Sequence, residues 1–340
     1  MGAGVVKPVN TRWLRALAAL ALLVSASPVF YFLQIWPEQK SDHQAVVFNI
    51  AQGASLTQVA DELTALGLTD SPVLFRLYAS LSGSDRELRA GTYEVPSRQN
   101  ARELLALFSS GKVQQHAIRL PEGMNLRVVA SLLAEQAVLE HRSTGWQHLQ
   151  DELDLELPFA EGAFFPDTYF VSAGASDLSV LQRAHEALLA QLRSAWNARA
   201  DNLAVQTPAQ ALILASIIEK ESDAPQDRRQ ISQVFHLRLK KNMKLQTDPT
   251  VIYALGEAFD GDIRRRDLRV DSPFNTYRYK GLPPTPIALP SRASIEAAVN
   301  PADGDYLYFV ARGDGTSQFS RTLEEHNAAV RRYQLSRGGP

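Results

Sequence analysis

From Ala16 to Leu33 the chain runs 18 residues without a charge, and no other feature limits its architecture as much. As a helix, a run of this length just crosses a hydrocarbon core of roughly 30 Å. Trp13 and Trp36 flank it at the depth where indole rings favour a membrane interface. Lys7, Arg12 and Arg15 precede it and Glu38 follows, so the positive-inside rule sends the rest of the chain out of the cytoplasm. Val24 to Ala26 offers small residues of the kind a signal peptidase cuts, yet the apolar run continues through Phe30, Tyr31, Phe32 and Leu33. The reading is a cytoplasmic tail over 1–12 and a retained transmembrane helix over 13–36; either alternative exports the protein.

The remainder of the 340 residues is long enough for about two globular units. An apolar share of 45% with 21% charged residues describes an ordinary packed protein. A net charge of -2 supplies no basic surface for phosphates, which removes nucleic acid as a partner. The absence of cysteine excludes disulfides, Cys-based zinc sites and thiol nucleophiles together. His43, His116, His141, His148, His185, His236 and His326 are scattered, none in the helical pairing with Glu that zinc requires. Neither a metal nor a cofactor is therefore expected. No Gly-x-Ser-x-Gly elbow or phosphate loop occurs, and Ser109 to Lys112 fits Ser-x-x-Lys only by chance at a helix end.

A short pattern repeats along the chain. Ile50 to Leu63 (IAQGASLTQVADEL) and Leu120 to Leu133 (LPEGMNLRVVASLL) each leave a strand through Gly53 or Gly123 and open a helix at a capping residue, Ser55 or Asn125. A weaker third copy, Val95 to Phe108, has Asn100 as cap and Arg98 in place of the glycine. Residues 45–115 are expected to form a small α+β unit, with strands near 45–50 and 91–95 and helices near 56–66, 72–81 and 100–110. The unit resembles a LysM-like module, which in known cases grips N-acetylated glycan. Beyond residue 115 the pattern predicts helices near 126–140, 177–199, 208–221 and 231–240, a strand pair at 306–311 and 317–320, and a last helix from Thr322 to about Leu335. Between Asp262 and Pro290 the chain reads as irregular.

Four segments carry possible chemistry. Gln206 to Ser222 (QTPAQALILASIIEKES) is a helix capped by Thr207, apolar nearly all round, and so buried. It ends in two carboxylates, Glu219 and Glu221, about 200° apart round the helix. Glu219, directly after Ile217 and Ile218, lies beside apolar surface at the negative end of the helix dipole and is the expected general acid, with Glu221 as its decoy. Leu245 to Tyr253 (LQTDPTVIY) places Asp248 before Pro249. Asp271 to Pro290 (DSPFNTYRYKGLPPTPIALP) is dense in aromatic, amide and hydroxyl groups that match sugars. Glu161 to Tyr169 (EGAFFPDTY) adds Glu161 and Asp167.

In this order the four segments, followed by YLYFVA, resemble the endolytic murein transglycosylase family, also called YceG-like. The resemblance implies an α+β fold with a membrane helix, a LysM-like subdomain over 45–115 and a YceG-like catalytic domain over 116–335. It also implies a bacterial inner-membrane enzyme with its catalytic domain on the extracytoplasmic side, near wall-synthesis enzymes. Its reaction would be lytic cleavage within peptidoglycan glycan strands, leaving 1,6-anhydro ends. It assigns the acid/base role to Glu219 rather than Glu221, and offers Gln246, Asp248, Ser272, Asn275 and Tyr277 as glycan contacts or supports of Glu219. Three positions depart from the family pattern: Ala163, where a large residue is usual, and Thr285 and Ser291, where glycine is. Two other readings stay open: a hydrolytic muramidase using Asp248 or Glu161 to activate water, and a non-catalytic, membrane-anchored glycan-binding protein.

Overall fold

The computed structural model describes residues 27–51, 53–221 and 224–335, so most of the expected membrane span lies outside it. Among the described residues no helix is long and apolar enough to cross a membrane. The chain divides into two compact units, one ending at Gln115 and the other beginning at His116.

In the first unit, β1 (Val46–Ile50) pairs antiparallel with β2 (Gly91–Val95), with Phe48 opposite Tyr93. Alternation along β1 sends Phe48 and Ile50 inward and leaves Asn49 outside. Onto this pair pack α1 (Leu56–Ala65), α2 (Pro72–Ser82) and α3 (Ala101–Ser110), burying Leu63, Phe75, Leu104 and Phe108 completely. Tyr93 is buried among them without loss, because its hydroxyl donates to the Arg89 carbonyl at 2.6 Å and the Phe108 carbonyl at 3.0 Å.

The second unit opens on β3 (His116–Arg119), which pairs antiparallel with β4 (Thr168–Val171). Between them lies α4 (Leu126–Ala134), shorter than the predicted helix. It stops because Leu139 turns into the core while the Glu140 amide bonds the Ala175 carbonyl at 2.9 Å. The helices α5 (Asp177–Asn197), α6 (Pro208–Glu221), α7 (Arg228–Lys240) and α8 (Asp248–Leu255) follow. Then α9 (Arg292–Val299), which the sequence pattern missed, packs along α6. A hairpin of β5 (Tyr308–Ala311) and β6 (Ser317–Ser320) and the helix α10 (Leu323–Val330) complete it. Mixed helices and antiparallel pairs make the protein α+β.

The repeat is real, and larger than the sequence reading. Gly53, Arg98 and Gly123 all adopt positive φ, at 79°, 61° and 73°. Two residues later Ser55, Asn100 and Asn125 each accept the backbone N–H three positions on, capping α1, α3 and α4. A fourth copy follows β4, where Gly174 (φ 80°) precedes the cap Ser176 of α5. Arg98 bends as its glycine counterparts do, which identifies the third copy despite the substitution.

Candidate active site

Helix α6 is held from both ends. The Thr207 hydroxyl accepts the Gln210 amide at 3.2 Å, and every residue from Ala211 to Ile218 is buried. One buried side chain there is polar: Ser216 donates to the Ile213 carbonyl at 2.7 Å and accepts the Ile287 amide at 3.0 Å. That bond lays the strap from Pro286 to Ser291 along the helix. Leu289 bonds Gly123 and Met124 through backbone groups, and Gly162 (φ 71°) approaches so closely that a Cβ would meet Pro286 at 2.4 Å. Only glycine fits there.

The last three residues of α6 face three different surroundings. Glu219 accepts from Ser291 twice at one carboxyl oxygen, from the amide at 2.9 Å and the hydroxyl at 2.5 Å. Its other oxygen lies 3.5 Å from the Arg228 guanidinium, and its side chain is 6% exposed. The Lys220 ammonium donates to the Gly123 carbonyl at 3.2 Å and lines a cavity of about 380 Å³. Glu221 faces Thr247, Asp248 and Arg238. Burial, reinforced by the neighbouring Asp248 carboxylate, pushes its carboxyl up to about 7, although the Thr247 hydroxyl and Arg238 pull the other way. Arg238 is spent on the protein itself, bonding the Leu307 carbonyl at 2.7 Å and the Leu245 carbonyl at 2.6 Å.

The sequence-predicted contacts therefore gather beside Glu221, not Glu219. Asp248, exposed at the start of α8, accepts the Tyr277 hydroxyl at 2.5 Å. Tyr277 is itself within electrostatic reach of Glu221. Gln246, exposed with φ 52°, ties its amide to the Thr276 carbonyl at 3.2 Å. Thr276 in turn receives the Thr247 amide at 3.1 Å and shares a 2.8 Å bond with Thr250, all three buried. Asn275 departs from expectation: it is wholly buried, its amide nitrogen donating to the Leu268 and Val270 carbonyls and its oxygen accepting the Tyr277 amide at 3.0 Å. It shapes the loop and has no free edge for a sugar. Ser272 does similar work, its hydroxyl accepting the Phe274 amide at 3.3 Å.

Glu161, a secondary candidate, is buried at the wall of the cavity. It accepts the Leu126 amide and the Tyr253 hydroxyl, both at 2.9 Å, yet burial still pushes it up to about 7. Trp146 and Tyr253 give the cavity two aromatic walls. Ser291, Arg228 and Arg238 escaped the sequence reading as site residues. Ser291 was visible there only as a departure from glycine, and neither arginine was singled out.

A carboxyl raised toward neutrality beside a second carboxylate, at the end of a buried helix, defines a protein equipped for proton transfer. More particularly, the chain belongs to the YceG-like family, whose model matches residues 48–332. It is 32% identical over 323 residues to a protein of Bacillus subtilis named endolytic murein transglycosylase, covering 88% of each chain. A Streptococcus pneumoniae protein of the same name is 27% identical over 337 residues, spanning 88% of this chain and 60% of that longer one. Among solved structures, the crystal structure of a YceG-like protein from Listeria monocytogenes superposes with a TM-score of 0.54 at 30% identity. That match covers 84% of this chain and 98% of the other.

Proposed function

We propose that this chain is an endolytic murein transglycosylase, anchored in the bacterial inner membrane through residues 13–36, with Glu221 as its acid/base. The observation that carries the reading is the Glu221 carboxyl, pushed up to about 7 in the cluster of Thr247, Asp248 and Tyr277. A group with that value populates both its protonated and its ionised form near neutral pH, so it can give a proton and take one back, as a single residue acting twice must. Glu219, preferred on resemblance, already accepts two bonds from Ser291 and faces Arg228, which suits it to fixing the end of α6. The names of the Bacillus and Streptococcus relatives support the substrate and reaction.

In this mechanism Glu221 gives its proton to the glycosidic oxygen between N-acetylmuramic acid and N-acetylglucosamine as the bond from that oxygen to the muramyl C1 breaks. The muramyl 6-hydroxyl oxygen then bonds to C1, and its proton passes to the Glu221 carboxylate. Proton and electrons balance within the sugar and one glutamate, so no water is activated, and the tethered nucleophile replaces the second carboxylate of a hydrolase. Asp248, oriented by the Tyr277 hydroxyl, supports positive charge developing at C1. The first unit, as a LysM-like module, would hold the strand.

Mass spectrometry of glycan strands treated with wild type, Glu219→Gln and Glu221→Gln tests this. Expected are internal 1,6-anhydro products from wild type and Glu219→Gln and none from Glu221→Gln. The reverse pattern returns the role to Glu219. Reducing-end products make the protein a muramidase with Asp248 as base, and intact strands from folded wild type make it a binding protein.

A further inference from the structure

Helix α2 carries apolar residues on two faces, parted on one side by Arg76 and Ser80, but protein covers only one of the two. Phe75, Tyr78 and Ala79 are buried, while Val73, Leu77 and Leu81 are 59%, 47% and 63% exposed. Their spacing of four residues keeps these three on one face, roughly 160° from the buried set. A helix apolar on both faces expects cover on both. The covered face is met by the N-terminal helical turns, where Phe32 and Trp36 stack at 5.9 Å and each sets an edge against Tyr78. Those turns expose Val29, Phe30, Tyr31 and Ile35. Between them and α2 runs an apolar groove of about 480 Å³, lined by Tyr31, Phe32, Trp36, Leu74 and Leu77. Among the described residues, more than half of the exposed large apolar side chains thus lie on these two neighbouring segments.

We infer that this face of the first unit, Val73, Leu77 and Leu81 with Val29, Phe30 and Ile35, lies in the interfacial layer of a lipid bilayer. The occupant is lipid because the face begins where the continuous apolar run ends: Leu33, the last apolar residue before Gln34, sits inside the helical turns that form one wall of the groove. Tyr31 and Trp36 supply the amphipathic rings that favour that depth. An apolar stripe flanking the emergence of a membrane segment needs no partner protein to be covered, since the bilayer already adjoins it. The inference rests on the proposed anchor but adds a second contact that fixes how the first unit leans on the membrane.

The absence of native cysteine makes the test direct. The full chain is reconstituted into vesicles of phosphatidylethanolamine and phosphatidylglycerol as Leu77→Cys, Leu81→Cys or, on the exposed surface of α1, Asp61→Cys, each carrying a polarity-sensitive fluorophore. Nitroxide lipids labelled near the headgroup should quench the labels at 77 and 81 about twofold or more beyond the label at 61, with iodide showing the opposite order. Vesicle-bound protein whose labels at 77 and 81 respond to iodide as the label at 61 does would overturn the inference while leaving the anchor intact. Labels shielded from both quenchers would overturn it too, since protein would then cover the face. Failure of the protein to float with vesicles would remove the anchor and this contact together.

Discussion

The two units use one construction device and fill it differently. Each leaves a strand through a positive-φ residue, caps a helix two positions later and pairs its strands antiparallel. Among the described residues of the first unit, the buried polar ones are Ser41, Thr69 and Asn100, of which Asn100 is a helix cap. In the second, buried groups include Glu161, Asp177, Asp227, His236 and Arg238, each satisfied by partners from another segment. Apolar packing suffices for a unit that transfers no protons. A unit that moves protons must bury groups whose charge is unwelcome there, and it needs a web of donors and acceptors to keep them.

The sharpest test of that contrast lies within α6. Replacing Glu221 by Gln is expected to lower the cleavage rate between about 10²- and 10⁴-fold, measured as anhydro-product formation at saturating glycan. In the first unit, Phe108→Ala should cost about 4 kcal/mol of packing. Hydrogen exchange should then show β1 and α3 losing protection; equal loss along α6 would break the separation of the two cores. Glu219→Gln should cost about 3 kcal/mol of unfolding free energy in denaturant titration, because it leaves the largely enclosed Arg228 without its counter-charge, while cleavage persists at low temperature. A variant as stable as wild type would show that the pair contributes nothing.

Acidity gives a smaller effect with a definite sign. Glu161 has its value raised in the folded protein from 4.5 to about 7, so the folded state holds the proton more tightly than the unfolded chain does. Its stabilising contribution is complete below pH 4.5 and is lost as the pH rises through 7. In Glu161→Gln the amide can donate to Tyr253, whose hydroxyl can turn to accept. Between pH 4.5 and 7 wild type should therefore lose about 3 kcal/mol more than this variant. Parallel pH curves would mean that Glu161 is not buried as a neutral acid. Smallest is Arg98→Gly, which relieves a left-handed residue at the third repeat and should raise stability by about 0.5–1 kcal/mol; a loss instead would mean that the exposed contact with Asp42 outweighs the strain.

Much of this was legible in the sequence because it is local. Caps at Ser55, Asn100 and Asn125, the apolar face of α1 and the Pro208 start of α6 depend on neighbours within one or two turns. What stayed hidden depends on distance along the chain. Nothing local to Glu219 announces that Ser291, 72 residues later, occupies its carboxylate. Nor does the EKE sequence reveal that Asp248 and Tyr277 approach its second glutamate. Asn275 misled for the opposite reason. An amide in a loop rich in sugar-matching groups reads as a contact, whereas its three bonds to backbone show it to be the knot of that loop.

That knot bears on how a strand is captured. With the Asn275 side chain bonded to three backbone groups and Thr276 clasped between Thr247 and Thr250, the wall carrying Tyr277 is a fixed surface, not a flap. Capture against this wall does not wait for the wall itself to close. Glycan should dock in a single kinetic phase, its rate rising in proportion to strand concentration, with turnover set by bond cleavage or by the departure of the cut ends.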